Sequence, residues 1–99
     1  MARFDVYPDP SGRGYLLDVQ AGVLEALSTR MVVPLFPEDR APLPARRLNP
    51  VFGIAGVRHV MVTQFMASVP RSLLRQPVMN LAAHDVEISN ALDMLFSGF

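Results

Sequence analysis

The 99-residue chain contains no cysteine, no lysine and no tryptophan. Without cysteine there are no disulfides, no thiol nucleophile and no cysteine-ligated zinc. All nine of its formally charged basic residues are arginines, nine carboxylates balance them, and only Arg46 and Arg47 are adjacent. Strong nucleic-acid binders carry a basic stripe, so this scatter argues against direct, high-affinity binding to DNA or RNA. No apolar run approaches the ~18 residues of a membrane span. The first residues, Met-Ala-Arg-Phe-Asp, lack the apolar core of a signal peptide, and a cytoplasmic location is expected. No glycine-rich phosphate loop and no cluster with metal-ligand spacing occurs, so neither a cofactor nor a metal is expected.

What the chain has in excess is apolar surface: 51% of its residues are hydrophobic and its mean hydropathy is +0.26. Residues 1–99 are expected to form one domain. A chain of this size buries only ~60–65% of the surface its unfolded form exposes. The surplus is expected in an interface, most simply a two-fold homodimer.

The first two thirds read as short strands. Phe4 and Val6 alternate with Arg3, Asp5 and Tyr7, and the Pro8–Gly12 stretch makes a turn. Tyr15, Leu17 and Val19 share one face of a second strand, and Arg30 to Leu35 form a third in which Pro34 marks an edge, a bulge or an end. Pro37 to Pro44 is a surface loop. Leu48–Ala55 and Val57–Thr63 read as a hairpin about Ala55-Gly56, with Val60 and Val62 facing away from His59, Met61 and Thr63. Ser68-Val69-Pro70 breaks the pattern. A helix is expected from about Asn80 or Leu81, with Asn80 as its N-cap. The whole suggests a small β-barrel or strongly bent sheet with one C-terminal helix against it.

That helix has an apolar stripe of Ile88, Ala91, Leu92, Leu95 and Phe99. Near its tip stand two aromatic rings, which either the body or another protein must cover. Asp93 and Ser97 lie four apart on the opposite, polar face. Gly98 permits a left-handed cap. Val23 and Leu24, in the connection after the second strand, read equally well as core plugs or as anchors for a partner. Catalytic chemistry is sparse. His59 lies in a strand beside Arg58, and His84 lies near Asp85 and Glu87; neither has the convergent partners a general base needs. No enzymatic activity is expected.

Three blocks resemble the CcdB family of toxins from type II toxin–antitoxin pairs. They are Phe4-Asp5-Val6-Tyr7 with Leu17-Asp18-Val19-Gln20; Arg30-Met31-Val32-Val33-Pro34-Leu35; and Met66-Ala67-Ser68-Val69-Pro70 with Asn90 to Phe99. Their order, spacing and total length match, and the similarity covers essentially the whole chain. The resemblance implies an SH3-like barrel of the CcdB/Kid type, mostly β with one long C-terminal helix, assembled as a homodimer. It implies binding to the A subunit of DNA gyrase and trapping of the cleaved-DNA complex. It also implies neutralisation by a CcdA-like antitoxin, with operon DNA bound only through the toxin–antitoxin complex. Carried over, the gyrase contacts fall on Asp93, Ser97, Gly98 and Phe99. The antitoxin contacts fall on Val23, Leu24, Asp93 and Ser97, and the dimer contacts on Leu95, Gly98 and Phe99.

The chain departs from the family at its tip. The family typically has tryptophan where this chain has Ser97, and asparagine where it has Asp93. In the family the two tryptophans of the dimer clamp a gyrase arginine, a cation–π contact of ~0.5–2 kcal/mol per ring. Asp93 pairing with that arginine, or the ring of Phe99, are the available substitutes. Two alternatives stay open: a homologue that binds antitoxin without poisoning gyrase, and an RNA-cleaving toxin on the same barrel, similar to MazF and Kid, using Arg58 and His59.

Overall fold

The computed structural model describes residues 2–98, so Phe99 lies outside the described residues. The strands are β1 (Asp5–Pro8), β2 (Tyr15–Asp18), β3 (Thr29–Pro37), β4 (Val51–Ile54), β5 (Val57–Met61), β6 (Ala67–Pro70) and β7 (Met79–Asn80), followed by helix α1 (Asp85–Ser97). They form a curled, half-barrel antiparallel sheet in the order β4-β5-β3-β2-β1-β7, with β6 also paired to β3.

β3 is the hub because both its edges are used. One edge pairs with β2 through Val32–Leu35; β6 pairs with residues Thr29–Val32 and β5 with Leu35–Pro37. Pro34 falls between the β6 and β5 ladders, where its missing N–H costs no bond. Its carbonyl accepts the Val62 N–H at 2.9 Å. The strand therefore runs through Pro34 and ends at Pro37, two residues past the expected end.

Alternation along the strands builds two apolar clusters on opposite faces. Val6, Leu17, Val33 and Leu35 join Phe52, Ile54 and Met61 in the main core, closed by Leu81, Ile88 and Ala91. On the other face Tyr7, Leu16, Val32 and Leu74 make a smaller cluster. His59, Val60, Met61, Val62 and Thr63 are all buried, so both sets of side chains in this segment, facing opposite ways, are covered.

Two further expectations are corrected. Ser68-Val69-Pro70 is part of β6 and not a break, because Arg30 pairs with Val69 and Met31 with Ser68. Asn80 belongs to β7, and its side-chain oxygen accepts the Ala82 N–H at 2.7 Å. It thus caps a 3-10 turn, Ala82–His84, that precedes the α-helix proper at Asp85. The hairpin turn falls where the sequence places it. Ala55 and Gly56 both have positive φ, 53° and 79°, the conformation of a two-residue I′ turn. At Gly14 (φ 131°) a Cβ would collide with the Leu35 carbonyl oxygen.

Within the smaller cluster lies an ion pair. Arg30 Nε and Nη2 both donate to Asp18 Oδ2, at 2.9 and 2.6 Å, with both side chains fully buried. Tyr7 lies in the same cluster. Burial first, then the Asp5 and Asp18 carboxylates and a hydrogen bond to Asp5, push its hydroxyl above the ordinary tyrosine value, against an opposing effect of Arg30. A raised folded value favours the neutral phenol in the fold. That contribution is complete below about pH 10 and is lost as pH rises through the folded value.

This geometry has two consequences for stability. Urea midpoints fall above about pH 10, and less so in Tyr7→Phe, which has no phenol to ionise at this buried position. Ala55→Asn raises stability by about 0.5–1 kcal/mol through relief at the turn, measured by urea unfolding at neutral pH.

Candidate functional site: the C-terminal end of the helix

The helix docks along Ile88 and Ala91, both fully buried, with Leu92 packed beside them. Asp85 and Glu87 lie in its first turn, where carboxylates favour the helix dipole. It ends on Gly98 at φ 78°, whose N–H bonds back to the Met94 carbonyl at 3.0 Å. Glycine meets this left-handed cap without steric cost. The cap fixes the direction in which the last turn is presented.

That last turn is largely uncovered. Asp93, Ser97 and Gly98 are exposed, while Met94 and Leu95 are half-buried. Phe96 is 71% exposed, so the body leaves this ring bare. Among the described residues Asp93 has no ion-pair partner. A shallow, mostly apolar groove runs beside the tip, its lining including Leu95, Phe96, Met31 and Met66 with the polar Gln64 and Ser68. Of the residues named from sequence, Asp93, Leu95, Ser97 and Gly98 thus lie together at one end of α1, while Phe99 is outside the described residues. Phe96, one of the two rings noted near the tip, is the member absent from the contact residues carried over from the family. Its signal was its position one residue past Leu95, off the stripe that buries Ile88, Ala91 and Leu92.

Val23 and Leu24 sit in a 3-10 turn, Gly22–Leu24, within a stretch exposed from Ala21 to Thr29. Val23 is 89% exposed, Leu24 45% and Leu27 48%. The core-plug reading is therefore excluded, and these residues form an apolar ridge.

The groups needed for RNA cleavage do not converge. His59 is buried, its ring edge-on to Tyr15 at 5.1 Å and its Nδ1 2.9 Å from the Val57 carbonyl. Arg58 is exposed and bonds Glu38 at 3.2 Å. Neighbours in a strand point to opposite faces, so this pair cannot share a substrate. His84 lies at the far end of the helix, 3.3 Å from Glu87 and against the Phe52 ring. Among the described residues no three His, Cys, Asp or Glu side chains are grouped to hold a metal ion, and no helix is long and apolar enough to cross a membrane.

The fold and this tip define a small β half-barrel closed by one terminal helix whose end the body leaves bare. The sequence matches the model of the CcdB protein family over residues 3–98, nearly its full length. The chain belongs to the CcdB family, toxins of toxin–antitoxin systems of the gyrase-poison kind, which is not a family of catalytic enzymes.

The exposed tip and the docked stripe predict opposite costs on substitution. Ile88→Ala destabilises by about 2–5 kcal/mol. Phe96→Ser changes the stability of the single-chain fold by less than about 0.5 kcal/mol, as expected for a position that chain leaves exposed. Thermal or urea unfolding of the two variants checks both.

Proposed function

We propose that this protein binds the A subunit of DNA gyrase through the C-terminal end of α1 and holds the enzyme with its DNA cleaved. The observation that carries the reading is the bare tip in a chain of this family: Phe96 exposed, with Asp93, Ser97 and Gly98 open around it. In this reading Asp93 forms an ion pair with a gyrase guanidinium, an interaction of opposite charges that neutral asparagine does not offer. Phe96 and Phe99 supply the aromatic faces that Ser97 lacks. Gly98 lets the partner backbone approach closely.

The active form is a cytoplasmic homodimer in which Leu95, Gly98 and Phe99 meet their counterparts near the two-fold axis. The apolar groove beside Leu95 and Phe96 supports this assembly, since uncovered apolar surface of this kind marks interfaces. A CcdA-like antitoxin neutralises the toxin by covering Val23 and Leu24 together with Asp93 and Ser97. Operon DNA is engaged only through that complex. The toxin itself catalyses no reaction and uses no cofactor.

Ser97 favours one other reading, a homologue that keeps fold, dimer and antitoxin binding but no longer poisons gyrase. A gyrase cleavage assay on supercoiled plasmid with ATP, comparing the protein with Ser97→Trp, separates the two. The proposal expects linear DNA from both, since Asp93 and the phenylalanines carry the contact. Linear DNA from the tryptophan variant alone establishes the other reading.

A further inference from the structure

The apolar ridge at Val23, Leu24 and Leu27 has no apolar anchor of its own. Every residue from Ala21 to Thr29 is exposed, and its internal bonds are three tight turns: Leu24 N–H to Ala21, Glu25 N–H to Gly22 and Leu27 N–H to Leu24. Such a segment, without buried side chains, is expected to open locally at little cost. Two long polar side chains nevertheless hold it from opposite sides.

Gln20 is the first. Beyond the end of β2, the Val19 N–H donates to the Met31 carbonyl at 3.0 Å. The Met31 N–H has no backbone acceptor from β2, and the side-chain carbonyl of Gln20 accepts it at 3.0 Å instead. The side chain thus continues the ladder while the backbone leaves the sheet. The other end of the same amide, Nε2, donates to the Leu24 carbonyl at 3.1 Å. Gln20 is itself fixed, because its backbone N–H donates to Asp18 Oδ1 at 3.0 Å, and Asp18 is locked by Arg30. Arg71 is the second. Its Nη1 donates to the Glu25 carbonyl at 2.9 Å, and its backbone N–H to the Ser28 carbonyl at 2.8 Å, joining the ridge to the end of β6.

We infer that Gln20 and Arg71 are positioning residues that set the ridge in its docking conformation before the partner arrives. The inference rests on the reading of Val23 and Leu24 as antitoxin anchors. A loop ordered in advance spares the complex the ordering entropy of its backbone and apolar side chains. Neither Gln20 nor Arg71 needs to touch the partner for this.

The test combines amide hydrogen exchange with titration by a purified CcdA-family antitoxin that binds the unmodified chain. Gln20→Glu keeps the acceptor for Met31 but has no N–H for Leu24. It is expected to speed exchange at Leu24, Glu25 and Leu27 about fivefold, the scale of one net hydrogen bond, with Met31 unchanged. Arg71→Ala does the same around Glu25 and Ser28, and Arg71→Lys restores part of the protection. Antitoxin Kd rises by a similar factor in Gln20→Glu and Arg71→Ala. Unchanged exchange in both variants, or faster exchange with an unchanged Kd, overturns the inference. Val23→Ala separates this from the underlying reading. It leaves exchange at Gly22–Leu27 unaltered and weakens antitoxin binding. If Val23→Ala binds antitoxin as tightly as the unmodified chain, the ridge is not the docking surface and both readings fall.

Discussion

The fully buried carboxylate of Asp18 has three tasks. One oxygen takes two guanidinium N–H groups of Arg30, tying β2 to β3 on the face away from the helix. The other takes the Gln20 N–H and turns the chain out of the sheet. Its charge also acts on the neighbouring phenol of Tyr7. A buried pair of this kind adds little net stability over a well-packed apolar substitute. Breaking it by removing one partner is expensive, because the other charge is then stranded. Arg30 Nη1 has no acceptor among the described residues, so the pair acts more as a fixed register mark than as a source of stability.

From that mark the two surfaces diverge. β3 continues through Pro34 to meet β5, and this carries the sheet around to the main core on which α1 docks. In the other direction the chain leaves β2 into the ridge at Val23 and Leu24, steadied by Gln20 and Arg71. The bare helix end and the bare ridge are two of the places where this small fold leaves large apolar side chains in water. A protein that works by engaging partners needs rigid anchors more than pockets.

Much of the fold was legible because it rests on local rules. Period-two alternation located β1 and β2, and Ala55-Gly56 located the hairpin turn. The 3.6 period of Ile88, Ala91 and Leu92 located the docked face of α1. The errors arose where non-local pairing overrode local pattern. β6 is a strand only because β3 offers it an edge. Asn80 caps a 3-10 turn one step before the helix because its backbone is held by β1. The second apolar cluster was invisible, since Tyr7, Leu16 and Val32 are ordinary alternating residues until Leu74 folds over them. At the tip, Asp93, Ser97 and Gly98 came from family resemblance. The exposure of Phe96 needed the structure, because only the docking angle of the helix decides which side of Leu95 faces water.

The end of α1 is thus read as a recognition element resting on a body that folds without it. The direct measurement is binding of the chain lacking Gly98 and Phe99 to the A subunit of gyrase, paired with its unfolding curve. Binding is predicted to be lost while the shortened chain stays folded, by its unfolding curve, and dimeric, by sedimentation, because Leu95 and the groove beside it remain to hold the two copies together. Undiminished gyrase binding by the shortened, folded chain would contradict that role for the tip.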